Sequence, residues 1–441
     1  MTGSVRARPA FRSRGTYRAR RNRSHAIAVV LVAAGALLGW ALPRWERHLP
    51  EAGLTFDAST AQATLAAIAG GMITLAGFVV TAITLVVQTV QTMSPRLVAA
   101  LGHFSRYLVL FGLLIGTALF ALVALSQVRD DDVPRVTVTL AVGLVLVDAV
   151  TVLSLLASLR HAVTGGGLAR AVGERLRTVV DQTHPAAAQA VSGPPPPPPA
   201  PAPSGEGEAI RHRGHPALIV ALDEPRLVRL AARHDIQVRF LHTVGDFVGS
   251  GTTVAYLSPS PGRDPDDARQ RRLARRVAAC VRFGPGRSIE QDTAYGLRLL
   301  ADIAIRALSP AVNDPTTAIE ALDQIEDVLR RLADRAHGPY WLVDEAGRPR
   351  VSCPAQYWPD LVSLALDETL LYGSANPQTV RRLHALLDHL LATTADDRRA
   401  PLAERREALH RLAATALPDP LLNAVAARPD PQGLGGIREP P

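Results

Sequence analysis

The sequence predicts an α-helical membrane domain with four transmembrane helices, followed by a cytoplasmic α+β domain with a small hairpin- or sandwich-like β part and a C-terminal helical part. Three observations predict it. Residues 26–42, 61–88, 107–127 and 136–159 are each apolar over about the 20 residues that a helical span needs. Arginines collect at alternating ends of those stretches. Beyond residue 210 the pattern turns globular, with strand-like alternation first and amphipathic helices after it. The 441 residues are 47% hydrophobic with 20% charged, and the mean hydropathy is +0.11, more apolar than a soluble protein of that charge content.

The first span follows eight arginines between Arg6 and Arg23. No small-residue cleavage site separates it from a soluble domain, so it reads as a span and not as a signal peptide. The positive-inside rule keeps that N-terminus in the cytoplasm, and four spans return the chain there. Glu46, Glu51 and Asp57, and the run Asp130-Asp131-Asp132, then fall outside, whereas Arg96, Arg106 and Arg160 fall inside. The expected location is the cell (inner or plasma) membrane, multi-pass, with both termini cytoplasmic.

Polar residues inside the spans raise the functional question. Thr74, Thr81 and Gln88 are seven apart, with Gly77, Thr84 and Gln91 between them, a heptad seam of small and polar residues on the second span. Two readings stay open: a seam that lets helices approach and hydrogen-bond, or the lining of a water path made by several subunits. Either way the side chains face protein or water, since lipid offers an amide no partner. Ser94-Pro95 ends the helix. Asp148 lies near the middle of the fourth span with Thr151 and Ser154 at helical spacing, and no arginine within any span pairs with it. It is a candidate ion or proton site or a hydrogen-bonded packing residue.

The expected organisation is an arginine-rich cytoplasmic N-terminus (1–25), the four-span domain (26–160), a connector helix (161–182) interrupted by the GGG at Gly165 to Gly167, and a proline-rich disordered linker (183–210). A small cytoplasmic β-containing part (211–285), a helical part (286–425) and a disordered tail (426–441) follow. A helix is expected at 224–234. HTVGDFVGSGTTVAYL reads as tight turns between short strands, like the hairpins of biotinyl and lipoyl domains. In the next block Ser288 and Gln291 suggest a capping box, Pro310 ends one helix, and Asp314 and Pro315 begin another, running to about Arg335. The loop Ser309, Pro310, Ala311, Val312, Asn313, Asp314, Pro315 is richer than a connection needs, so it is a candidate site for a ligand or a neighbouring subunit beside its capping role. Further helices are expected at 357–372, 377–393 and 402–417.

Composition excludes several chemistries. All 48 basic residues are arginine, so a phosphate-loop lysine, a Schiff-base lysine and a lysine-borne biotin or lipoyl group are impossible. Cys280 and Cys353 stand far apart and receive no role. His384 and Asp388 share a helical face without a third ligand, so no metal site is expected. No nucleophile elbow or phosphate loop is present, and no cofactor or enzymatic reaction is expected. The arginine excess is not interleaved with aromatic residues, so nucleic acid is not expected as a partner. Expected partners are the lipid bilayer, further copies of the chain, and an unidentified ion or small ligand.

SPRLV after the second span, GDFVGSG, and above all EQDTAYGLRLLADIAIRALSPAVNDPTTAI resemble the bacterial predicted membrane proteins catalogued as domain of unknown function 2254. The resemblance runs from the first span into the C-terminal helices. It implies a four-span membrane protein with a cytoplasmic domain and implies no reaction. The leading functional expectation is an oligomeric channel- or transport-like protein gated or assembled by its cytoplasmic domain. The other is a membrane-anchored sensor or scaffold.

Overall fold

The computed structural model describes residues 6–9, 17–46, 48, 55–93, 104–129, 132–163, 166–184, 207–259 and 267–428. Ser94-Pro95, SPRLV and most of the proline-rich run lie outside them. The chain forms two compact units, Arg14–Thr164 and the combination of Met1–Ser13 with Gly165–Pro441.

The first unit is four helices: α1 (Tyr17–Glu46), α2 (Ala58–Met93), α3 (Phe104–Leu125) and α4 (Arg135–Val163). Each contains a stretch long and apolar enough to cross a membrane: Arg23–Glu46, Ala58–Leu85, Tyr107–Leu125 and Arg135–Ala157. Its exposure pattern suits lipid, for Phe78, Leu85, Leu146, Val150 and Leu153 all point outward. α3 is central and packs on the other three helices. Its approach to α1 is backbone to backbone: a Cβ on Gly35 would stand 2.0 Å from the Gly116 carbonyl oxygen, and one on Gly112 would stand 2.7 Å from the Cα of Ala28. Contacts climb both helices together, from Ala28 beside Gly112 to Gly39 beside Phe120. The two helices therefore run in the same direction, as the first and third of an alternating bundle must.

Side chains tie the ends opposite the N-terminus. The Glu46 carboxylate accepts from the Thr137 N–H at 3.0 Å and the Thr137 hydroxyl at 2.9 Å, capping α4 from the last turn of α1. Gln127 donates to the Gly39 carbonyl at 2.8 Å.

The second unit begins with β1 (Arg6–Pro9) and resumes with α5 (Gly167–Thr183), β2 (Glu208–Arg211), β3 (Ala217–Leu222), α6 (Glu224–His234), β4 (Ile236–Phe240), β5 (Phe247–Val248), β6 (Thr253–Pro259), α7 (Asp267–Ala278) and β7 (Val281–Gly284). It continues through α8 (Thr293–Ala307), α9 (Pro315–Ala333), β8 (Tyr340–Val343), β9 (Pro349–Cys353), α10 (Trp358–Gly373), α11 (Pro377–Thr393), α12 (Ala400–Ala416) and α13 (Pro420–Ala426). A six-stranded sheet has the order β1-β8-β9-β4-β6-β2 and a three-stranded one the order β5-β3-β7. β1 runs parallel to β8, from Arg6 opposite Tyr340 to Pro9 opposite Val343. The arginine-rich start thus supplies a strand to a sheet whose other members all follow the spans. The segment GDFVGSG does not fold as a hairpin. β5 and β6 belong to different sheets, so the segment carries the chain from one to the other.

The sheets and helices α6 and α7 share one core, which includes Leu227, Val238, Leu257, Val277 and Val351. The helices α5 and α8–α13 form the rest. α5 lies along α9, held by Arg177–Asp327 at 3.1 Å, Arg331–Asp181 at 3.0 Å and Arg335–Asp181 at 2.6 Å. Gly173 makes room there for Gln324, and Gly296 of α8 makes room for Leu176. α13 is seven residues long, too short for the periodicity that marks a helix.

Candidate functional site

Asp148 is fully buried, at 0% exposure. One turn to either side on α4, Val145 and Val152 pack against the apolar cluster of Met72, Ala76, Val79, Leu110, Leu114 and Ala118, so this acid sits among hydrocarbon. The Thr117 hydroxyl of α3 is its polar neighbour. The pair falls outside hydrogen-bonding geometry, leaving both carboxylate oxygens and the hydroxyl buried without a partner among the described residues. Thr151 and Ser154 do not join it. Their hydroxyls donate to their own helix, to Val147 at 2.7 Å and Thr151 at 2.8 Å. Asp148 is thus a buried acid within a candidate span, and its polar neighbour comes from another span.

The heptad seam of α2 faces away from its own bundle. Met72, Ala76 and Val79 turn inward to α3, while Thr74, Thr81, Thr84 and Gln88 are exposed. At Gly70 and Gly77, on the same stripe, no atom lies within 4 Å of the place a Cβ would take. The threonines are satisfied within the helix, donating to Gly70 at 2.9 Å, Gly77 at 3.0 Å and Val80 at 2.9 Å. The side chain of Gln91 lies outside the described residues.

The loop from Ser309 to Pro315 is built around caps. Asp314 accepts from the Thr317 N–H at 3.1 Å and the Thr317 hydroxyl at 2.5 Å, starting α9 with Pro315 in its first turn. Ser309 donates to the Arg306 carbonyl at 2.7 Å, and the Asp314 N–H closes the loop on Ala307 at 2.8 Å. Asn313 has φ 47°, a left-handed conformation that asparagine tolerates better than most residues. Pro310, Ala311, Val312 and Asn313 form an exposed tip.

The other motif residues meet at a joint between the β and helical parts. Ser288 accepts from the Glu290 N–H at 3.3 Å, but Gln291 does not complete a capping box. It bonds instead to both backbone groups of Leu222. The cap of α8 is Asp292, which accepts from the Tyr295 N–H at 2.9 Å and takes two hydrogen bonds from Arg287, at 2.9 and 3.1 Å. Burial pushes the Asp292 carboxyl up and Arg287 opposes it. Gly245, at φ 101°, lies over this pair, so close that a Cβ would be 2.3 Å from Asp292 Oδ2. GDFVGSG and EQDTAYG are thus joined by packing. Glu290 adds ion pairs to Arg175 at 3.5 Å and Arg282 at 3.6 Å.

His384 and Asp388 have separate neighbours: the His384 ring stacks 4.5 Å from that of His410, and Asp388 pairs with Arg406 at 3.2 Å. Among the described residues no three His, Cys, Asp or Glu side chains cluster as metal ligands. Sequence reasoning passed over Thr117 and the glycines of α1 and α3. GALLG at 35–39 and GLLIG at 112–116 were visible as small-xxx-small patterns.

Comparison with known proteins bears on the whole chain. A family described as "Predicted membrane protein (DUF2254)" matches residues 21–389. An uncharacterised protein of Mycobacterium tuberculosis strain H37Rv, Rv1290c, is 28% identical over 283 residues, which are 63% of this chain and 52% of that protein. The uncharacterised protein Mb1321c of Mycobacterium bovis matches over the same extent at 28% identity. The chain spans about half the length of these curated relatives. No solved structure matches.

Proposed function

The chain belongs to the DUF2254 family of predicted membrane proteins, and from that premise we propose that it is an oligomeric channel- or transport-like protein of the cell membrane, gated or assembled by its cytoplasmic domain. The observation that carries this reading is the outward seam of α2. Its small and polar positions have no cover from the chain's own bundle, and open glycines beside Thr74 and Thr81 suit the close approach of a second copy. Asp148 supplies the kind of isolated acid found along ion and proton paths. In this reading the partners are lipid, further copies and an ion or small ligand, without cofactor, enzymatic step or nucleic acid. Both termini are cytoplasmic. The pairing of β1 with β8 supports a common side for the two ends of the span region, and a reporter after Pro441 tests it: a signal from outside the cell overturns the orientation.

The seam is tested with single cysteines at Thr74, Thr81, Thr84 and Gln88, after replacement of Cys280 and Cys353. The channel reading expects labelling by a membrane-impermeant thiol reagent, with Ala76→Cys and Val79→Cys protected. Protection throughout, together with intersubunit crosslinks on oxidation, keeps the oligomer and removes the water path. Neither labelling nor crosslinks overturns both. The second reading, a membrane-anchored sensor or scaffold, is favoured by the exposed tip at 310–313, which capping alone does not require.

A further inference from the structure

The outer faces of α6 and α7 carry a concentration of arginine. Leu227, Leu230 and Ala231 of α6 and Leu273, Ala274 and Val277 of α7 are buried in the same core. The opposite faces present Arg226, Arg229 and Arg233 from α6 and Arg271, Arg272 and Arg275 from α7, all exposed. The last turns of the two helices meet: Arg276 Nη1 donates to His234 Nε2 at 3.0 Å, and Arg226, Arg229 and Arg276 all act on Cys280. The field is felt locally, for His234 is pushed below the usual histidine range by burial and then by Arg276, Arg269 and Arg233.

The helical part treats its arginines differently. There Arg177, Arg331, Arg335, Arg382 and Arg405 each pair with a carboxylate. None of these six arginines of α6 and α7 has an ion pair among the described residues. The acid on α6, Glu224, is buried at 5% exposure.

We propose that this two-helix face is a docking surface for anionic lipid headgroups. A guanidinium matches a phosphate with two parallel hydrogen bonds, and a cluster of four to eight basic residues on an amphipathic helix has the composition of an anionic-lipid site. Neither EPRLVRLAARH nor DARQRRLARRVA contains Phe, Tyr or Trp, so the face lacks the large aromatic rings on which unpaired bases stack. A protein of four candidate spans also keeps this domain at high local concentration beside a headgroup layer. The proposal does not depend on a pore.

The experiment is arginine footprinting of the full chain with phenylglyoxal, read by mass spectrometry, in nanodiscs of phosphatidylcholine and in nanodiscs with phosphatidylglycerol added. The chain has no lysine to compete for the reagent. Labelling at Arg226, Arg229, Arg233, Arg271, Arg272 and Arg275 should fall by about threefold or more with the anionic lipid, and the difference should vanish near 1 M salt, where screening acts within about 3 Å. Exposed Arg411 and Arg428 serve as controls and should not change. In the variant Arg226→Gln/Arg229→Gln/Arg272→Gln/Arg275→Gln, protection of Arg233 and Arg271 should disappear. Equal labelling in both bilayers, an equal fall at the controls, or protection by single-stranded RNA in neutral discs without a response to phosphatidylglycerol overturns the proposal.

Discussion

Gln291 bonds to the backbone of Leu222 in both directions, its side-chain oxygen accepting from the Leu222 N–H at 2.8 Å and its amide donating to the Leu222 carbonyl at 3.0 Å. A side chain 69 positions away thereby does what a paired strand residue would do. Because Leu222 is buried, Gln291→Ala leaves two backbone groups without partners and should cost about 2–3 kcal/mol. Thermal unfolding of the second unit measures it. A loss of a few tenths would mean that water replaces the amide without penalty.

The crossing of α1 and α3 makes a sharper demand. Gly35→Val places side-chain atoms where the Gly116 carbonyl stands, and two transmembrane backbones in contact cannot yield without separating. The variant should be recovered in low yield or with increased protease sensitivity in α1. Gly70→Ala, in open space, should be recovered normally, and equal damage from both would count against the close crossing.

At the loop before α9 the caps predict graded losses. Asp314→Ala should cost about 1 kcal/mol and Asp314→Ser a few tenths. Asn313→Val should cost about 1–2 kcal/mol because a branched side chain resists φ 47°, whereas Asn313→Gly should be close to neutral. If the tip also binds a ligand or neighbour, substitutions at exposed Val312 should change oligomer yield or transport with the melting temperature unmoved.

His384 makes the second unit sensitive to acid. Burial, and then the charge of His410, hold it down to about 4. A histidine depressed in the folded state binds its proton more readily when unfolded, so its contribution is complete above about pH 6.5 and is lost as pH falls from there to about 4, by roughly 2–3 kcal/mol. His384→Leu should flatten that part of the pH profile of melting. An unchanged profile would place the sensitivity elsewhere.

What was legible in the chain was what is local. Spans follow from runs of apolar residues, and α9 from its cap Asp314, whose partner lies within the next turn. The α2 seam was visible as a heptad, though its outward direction was not. Gln291 was misjudged because a local cap is what the spacing offers, while the folded chain supplies a better partner in Leu222. Thr117 beside Asp148 depends on how two spans are packed, which neither span's own sequence states. β1 was illegible for the same reason: the alternation in RARP is only four residues long and ends in proline, and the strand exists because β8 offers an edge.

That last strand sets an order on synthesis. β1 leaves the ribosome before any span, and its partner follows roughly 330 residues later, some tens of seconds at about 5–20 residues per second. Throughout that interval a segment able to join a sheet edge has no proper edge to join. Its four residues include Arg6, Arg8 and Pro9, charge and a missing donor that disfavour pairing with the wrong chain. A nascent chain interrupted anywhere before residue 340 keeps its first strand unclaimed, so closure of this sheet reports that everything up to β8 has been made and has come to the same side as the first strand.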